Sequence, residues 1–223
     1  MKTLIVNGSP NGKNGNTEAV INHFMAGSGQ TYPVRYVAYE PAEKISEELA
    51  QAETILLFMP LYVHAMPGIV MRLFEQMQQA KRGQKIGFVI QQGFVETAQA
   101  RFLKRYLEQF AQQMGFDDLG VVIMGDCAGM TLMPQMYKKI FAGLHQLGAG
   151  YGGHGTLDTK IAAQLGGMYE IPRYKANFFE FLHQSGINHI FWHRFWKENG
   201  VSKQQGLDRP FQRECGGNLS HKL

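Results

Sequence analysis

The sequence predicts an α/β protein: a doubly wound, five-stranded parallel sheet with a C-terminal helical extension. Three observations carry that expectation. Strand-like apolar runs alternate with helix-period segments five times in the first 148 residues. The run Thr54-Ile55-Leu56-Leu57-Phe58-Met59 shows no polar alternation, as in a strand buried on both faces. Beyond Gly148 the alternation stops. The domain boundaries expected are therefore 1–148 for the sheet domain and 149–223 for the extension.

The elements follow in order. Leu4-Ile5-Val6 is a first strand, stopped by Asn7-Gly8. Thr17 to Ala26 is a helix with Val20, Ile21, Phe24 and Met25 on one face. Pro33 to Val37 is the second strand, and Glu43 to Ala52 a short Glu-rich helix. The third strand ends at Pro60. Gly68 to Gln79 turns Val70, Leu73, Phe74 and Met77 inward. Lys85 to Ile90 is the fourth strand. Thr97 to Met114 is a long helix striped with Leu103, Leu107, Phe110 and Met114. Leu119 to Met124 is the fifth strand. Pro134 opens the next helix, a position proline favours, with Met136, Ile140, Leu144 and Leu147 facing the core. In the extension, helices are expected near 159–165 and 172–184. An aromatic segment follows at 190–196, then a tail from Val201 with few apolar residues. Crossovers in such a sheet are right-handed. Ligands bind beyond the carboxyl ends of the strands, where strand order switches. Four segments qualify: 7–17, 60–68, 91–97 and 125–131.

Composition narrows the function classes. The net charge of +4 divides into 13 basic against 12 acidic residues up to position 149, and nine against six beyond it. No basic run stands out, which argues against nucleic acid as a partner. Two cysteines, Cys127 and Cys215, are too few for a disulfide framework or a cysteine-ligated cluster. No apolar run reaches the roughly 20 residues a membrane span needs. The apolar stretch after Met1 is too short for a signal peptide. The expected setting is cytoplasmic, with no membrane partner and no metal.

The first carboxyl-end segment reads Asn7-Gly8-Ser9-Pro10-Asn11-Gly12-Lys13-Asn14-Gly15-Asn16-Thr17. A loop of Gly and short polar residues that opens a helix suits an anion, through free backbone N–H groups and the helix dipole. Three readings are open. It is an ordinary turn capped by Asn16 or Thr17; a nucleotide triphosphate loop; or a metal-free monophosphate cradle. The second is disfavoured: the glycine spacing is one short, and Asn14 replaces the Ser or Thr that would hold magnesium. The second segment reads Pro60-Leu61-Tyr62-Val63-His64-Ala65-Met66-Pro67-Gly68. Two prolines stiffen it. Tyr62, His64 and Met66 offer flat or polarizable surfaces to a ring system, or are simply core.

Together, Gly8-Ser9-Pro10 … Gly15-Asn16-Thr17 and Pro60-Leu61-Tyr62 … Met66-Pro67-Gly68 resemble the NAD(P)H-dependent FMN reductase family of flavodoxin-like proteins, relatives of quinone reductases and iron–sulfur flavoproteins. The resemblance covers about residues 1–148. It implies an oxidoreductase with FMN as cofactor, NADPH or NADH as co-substrate, a small-molecule electron acceptor and a homodimer; the alternatives on the same fold are a non-enzymatic electron carrier and a flavin-free binding module. It also implies site residues. Ser9, Asn11, Asn14, Asn16 and Thr17 would hold the FMN phosphate. Pro60, Leu61, Tyr62, Val63 and His64 would run along the isoalloxazine. Gln91, Gln92, Gly93, Phe94 and Glu96 would lie against the ring or ribityl chain, with Asp126 and Cys127 in the same pocket. No catalytic side chain is assigned. Three departures stand out. Asn11 occupies a position where many members carry Arg, Met71-Arg72 stands where many carry Lys, and the cysteine cluster of the iron–sulfur branch is absent.

Three other patterns have blander readings. Gly148-Ala149-Gly150-Tyr151-Gly152-Gly153 has dinucleotide-loop spacing but follows a helix, so it reads as a flexible joint. His189 and His193 are four apart, without the Glu of a zinc helix, so packing is expected. Cys127 follows Asp126, which disfavours its thiolate, so it reads as pocket lining or buried structure.

Overall fold

A computed structural model of the chain describes residues 2–184, 193 and 196–208. Five strands form one sheet: β1 (Thr3–Asn7), β2 (Val34–Tyr36), β3 (Thr54–Pro60), β4 (Lys85–Gln91) and β5 (Asp117–Met124). Every pairing is parallel and the order is β2-β1-β3-β4-β5. Between the strands run α1 (Asn16–Ser28), α2 (Ala42–Leu49), α3 (Gly68–Gln76) and α4 (Arg101–Met114). After β5 come α5 (Lys138–His154), α6 (Thr159–Gly166), α7 (Arg173–Gln184) and α8 (Lys203–Leu207). Strand order reverses between β1 and β3, so the loops that leave these two strands open on one crevice.

The apolar runs explain the layers. Successive side chains of a strand point to opposite faces. Leu4, Val6, Ile55, Leu57, Met59 and Ile90 pack with α2, α3 and α4, among them Ile45, Val70, Leu73 and Leu107. Ile5, Leu56, Phe58 and Val89 pack on the other face against α1, α5 and α6, with Ile21, Phe24, Leu144, Leu147 and Leu165. A strand covered on both faces needs no polar positions, which is why β3 reads as an unbroken run.

Two sequence expectations are corrected. The glycines at 148–153 are no joint; they continue α5 to His154. A Cβ on Gly148 would run into the carbonyl oxygen of Phe24, and one on Gly152 into that of Ser28; Gly27 of α1 meets His145 the same way. Backbone touches backbone where α1 and α5 cross, and that contact overrides the low helix propensity of glycine. Tyr151, on the same helix, is buried, with its hydroxyl 2.8 Å from Thr3 Oγ1. Met136 was expected in the core but is 71% exposed. Residues Pro134–Tyr137 form a 3-10 turn before α5 starts, so the helical phase extrapolated back to Met136 does not apply.

The chain divides into two compact units, residues 1–171 and 172–223. Residue 148 falls inside α5, and α6 belongs to the first unit, on β5. In the second unit, α8 starts on a capping box formed by Ser202 and Gln205. Most of the aromatic segment 190–196, His189 and the end of the tail lie outside the described residues. Among the described residues no helix is long and apolar enough to cross a membrane.

Candidate functional site

The four carboxyl-end segments meet at one edge of the sheet. Asn7, the last residue of β1, is wholly buried and shapes the first. Its Oδ1 accepts from the Ser9 amide at 3.0 Å. Its Nδ2 donates to the Gly12 carbonyl and, at 2.9 Å, to Glu18. The Asn11 amide donates to Ser9 Oγ at 3.2 Å, which leaves the Ser9 hydroxyl hydrogen free to turn outward. The amides of Asn16 and Thr17, at the start of α1, have no intrahelical acceptor. Lys13 places its ammonium 5.1 Å over the ring of Tyr36. Burial, then the hydrogen bond to Glu18, pushes the Tyr36 hydroxyl up to about 12.

Asn16 is consumed inside the protein. Its Nδ2 donates to the carbonyls of Cys127, at 2.7 Å, and Ala128. Its Oδ1 accepts from the amide and hydroxyl of Thr131. The side chain therefore clamps the loop after β5 to the loop after β1. The buried Thr17 accepts from Gln91 Nε2 at 3.3 Å, which ties α1 to the end of β4.

The second segment makes a two-residue turn. Tyr62 and Ala65 exchange both backbone hydrogen bonds, at 2.8 and 3.0 Å. The residues between them, Val63 and His64, have φ of 47° and 66°. This left-handed conformation is costly for side chains with a Cβ, most of all a β-branched one. Val63 is also 89% exposed. His64 Nδ1 lies 3.2 Å from the Gln99 carbonyl, and since a carbonyl only accepts, that nitrogen carries the proton.

The third segment is organised by Gln92, which is 1% exposed. Its Nε2 donates to the carbonyls of Phe94 and Glu96, at 3.2 and 2.6 Å. Its Oε1 is buried without a donor among the described residues. The carboxylate of Glu96 accepts from the Ile171 amide at 2.8 Å. In the fourth segment, Asp126 takes a left-handed φ of 56° and donates its amide to the Phe94 carbonyl. Burial raises its carboxyl pKa. Cys127 is fully buried and donates its thiol to the Gly125 carbonyl at 3.2 Å. Burial pushes that thiol up to about 12, with Asp126 adding to the shift and the Gln92 backbone opposing it. Cys127 is inert structure.

A cavity of about 190 Å³ opens where these loops converge. Of the residues expected at the site, Ser9, Asn11, Asn16, Pro60, Leu61, Tyr62, Gln91, Gln92 and Gly93 line it. Asn14, Thr17, Val63, His64, Phe94 and Glu96 stand around it without forming its wall. Ala128 also lines it and was not singled out from the sequence; its only signal was its place in the fourth segment. Tyr62 and Phe94 are 46% and 64% exposed, two aromatic rings left to solvent on adjoining loops. A separate apolar groove of about 600 Å³ runs between α3 and α4, with His64, Met66, Met71, Phe102 and Tyr106 among its walls.

A doubly wound sheet with a polar, glycine-built crevice at its switch point defines a class of ligand-binding α/β proteins. Within that class the family model for the flavodoxin-like fold matches residues 1–143, and the chain belongs to that family. No curated protein matches it. Solved structures similar to it include an NAD(P)H:quinone oxidoreductase from Methanothermobacter marburgensis, with TM-score 0.54 and 13% identity over 67% of this chain and 96% of that one. An NADH:FMN oxidoreductase gives TM-score 0.53 and 14% identity over 77% and 97%. An NADPH-quinone reductase from P. pentosaceus gives TM-score 0.50 and 20% identity over 66% and 96%. At these identities the likeness is one of fold.

Proposed function

We propose that the protein is an FMN-dependent oxidoreductase that takes hydride from NAD(P)H and passes electrons to a small acceptor: a quinone, a nitro or azo compound, a flavin or a metal ion. The observation that carries this reading is the crevice itself, an anion cradle at the start of α1 beside two loops with exposed aromatic rings. Similarity in fold to reductases that use FMN or nicotinamides supports it.

The residues fit FMN. The amides of Asn16 and Thr17 and the Ser9 hydroxyl offer donors to a phosphate. Ser9, Asn11, Asn16, Gln91 and Gln92 give the cavity a polar wall suited to a polar ligand. Tyr62 and Phe94 offer faces to a flat ring. Bound FMN would supply the redox chemistry, accepting hydride and releasing electrons. The chain's own residues bind and orient. The backbone amides of Gly93 and Phe94 and of Val63 and His64 would face the developing charge of the reduced ring, those of Tyr62 and Gln92 being donated to the Ala65 and Met124 carbonyls. The left-handed turn at Val63-His64 fixes the direction of those amides. His64 is tied through Nδ1 to the Gln99 carbonyl at 3.2 Å. No side chain need act as an essential acid or base.

The proposed assembly is a homodimer and the proposed setting the cytoplasm. Met71, Phe102 and Tyr106 expose apolar surface along the α3/α4 groove, the kind of patch that association covers. The test of the function is an absorbance spectrum. Protein incubated with FMN and desalted should stay yellow and bleach on anaerobic addition of NADPH or NADH. Colour that neither nucleotide bleaches would make it an electron carrier, and a colourless protein would overturn the assignment.

A further inference from the structure

We propose that Glu96 is a positioning residue. Together with the strap 167–171 it sets the shape of the Gln92–Phe94 loop for flavin, without touching the flavin. The inference rests on the FMN reading above.

Four observations carry it. First, Glu96 does not line the cavity, whereas Gln91, Gln92 and Gly93 do. Second, its two ends face different partners. Its carbonyl accepts from Gln92 Nε2 at 2.6 Å, and its carboxylate accepts from the Ile171 amide at 2.8 Å. Gln92 is thereby fixed in one orientation: turning its amide over would set Oε1 against the Phe94 and Glu96 carbonyls, so the donorless oxygen stays where it is. Third, the strap lies along the loop's far side in strand-like pairing. The Thr97 amide and hydroxyl donate to the Met168 carbonyl at 2.9 and 3.2 Å, and the Ala98 amide to Tyr169 at 2.9 Å. Glu96 and Met168 form a parallel bridge. Fourth, the strap reaches the loop through a glycine-only corner: Gly167, after α6, has φ 63° and ψ −123°. The loop that forms one wall of the crevice is thus held from behind by a segment about 75 residues later in the chain. Glu96 is the side chain that closes the hold.

A carboxylate that accepts a backbone N–H makes a stronger hydrogen bond than a neutral pair. Losing it frees the loop to leave its binding shape, and flavin must then bear the cost of re-ordering it.

The test uses the full chain. The dissociation constant for FMN is measured by quenching of flavin fluorescence for the wild type, Glu96→Ala, Glu96→Gln, Ile171→Pro and the Glu96→Ala/Ile171→Pro double variant. Thermal unfolding checks that each is folded. Amide hydrogen exchange of residues 92–98 and 168–171 is measured on the flavin-free proteins. We expect Glu96→Ala and Ile171→Pro, which break the same bond from opposite ends, each to weaken FMN by about ten-fold. The double variant should be no weaker than either single. Glu96→Gln keeps an acceptor oxygen and should stay within about two-fold of the wild type. Exchange in 92–98 should quicken in Glu96→Ala. If Ile171→Pro does not fold, Thr97→Val, which removes the hydroxyl latch on Met168, replaces it and should also quicken exchange and weaken FMN. Wild-type affinity in Glu96→Ala, or additive losses in the double variant, would overturn the proposal, the latter because it would mean direct contact between Glu96 and flavin. A wild-type protein that binds no FMN would remove the functional reading instead. The exchange data separate the cases, because they report the hold on the loop with no flavin present.

Discussion

At the scale of single residues, two positions carry strain or shielding that can be measured. Val63 holds a left-handed backbone in full solvent with a β-branched side chain. Glycine suits that conformation, and its gain outweighs its larger entropy in the unfolded chain. We expect Val63→Gly to raise stability by about 0.5–1 kcal/mol in urea unfolding. No change, or a loss, would show that the Val63 side chain contributes more than its exposure indicates. Cys127, fully buried with its thiol pushed up to about 12, should resist alkylation at pH 8 and react once the chain is unfolded. Peptide mapping after brief iodoacetamide treatment reads this directly. The sequence pointed to both residues only in part. The Asp126-Cys127 pair suggested a disfavoured thiolate. Nothing in Tyr62-Val63-His64-Ala65 marks a turn of this type, which normally draws Asn and Gly.

At the scale of elements, the contact of α1 with α5 sets the sharpest expectations. Gly148 leaves no room for a methyl group beside Phe24. Gly148→Ala should therefore destabilise by about 2–3 kcal/mol despite alanine's better helix propensity. A neutral result would mean the helices slide apart freely. On the same interface His23 stacks on Phe141 at 4.0 Å. Burial first, then His145, lowers its pKa below 6.5. The fold thus favours neutral His23, and its contribution to stability is full above pH 6.5. Below that the unfolded chain takes up the proton first, so stability falls with falling pH. We expect the melting temperature to drop from pH 7 to pH 5 and His23→Phe to flatten that slope. The strands were legible because each is a short apolar run between turn residues. The glycines of α5 were not, because a glycine that admits a neighbouring backbone and one that breaks a helix look alike in sequence. Met136 was misplaced because the switch from 3-10 to α at Lys138 leaves no mark in periodicity.

At the scale of the whole molecule, the cradle loop 7–17 holds a single basic side chain, Lys13. The Lys13 ammonium is drawn to the Tyr36 ring, and Asn11 is uncharged. Binding through neutral donors and a helix terminus should be nearly indifferent to salt. We expect the FMN dissociation constant to change by less than about three-fold between 50 and 500 mM NaCl. A steeper dependence would reveal an ion pair to the phosphate. Which loops build the crevice was readable from the sequence, since strand ends and strand order fix them. Which side chains face inward was not. Asn16 is spent on Thr131 and Glu96 on Ile171, partners 115 and 75 residues away. Such distant partners leave no local pattern.

The loop after β1 has one more consequence, on the timescale of storage. It contains three Asn-Gly pairs, at 7–8, 11–12 and 14–15. In such pairs the glycine nitrogen attacks the asparagine amide with little hindrance, expels ammonia, and leaves aspartate or isoaspartate after hydrolysis. Asn7 is buried and held at both ends of its amide, whereas Asn11 and Asn14 face solvent. Ageing therefore writes new negative charge into the loop proposed to receive the FMN phosphate. A protein kept warm at mild alkaline pH should lose its grip on flavin in step with its deamidation, while its sheet remains intact.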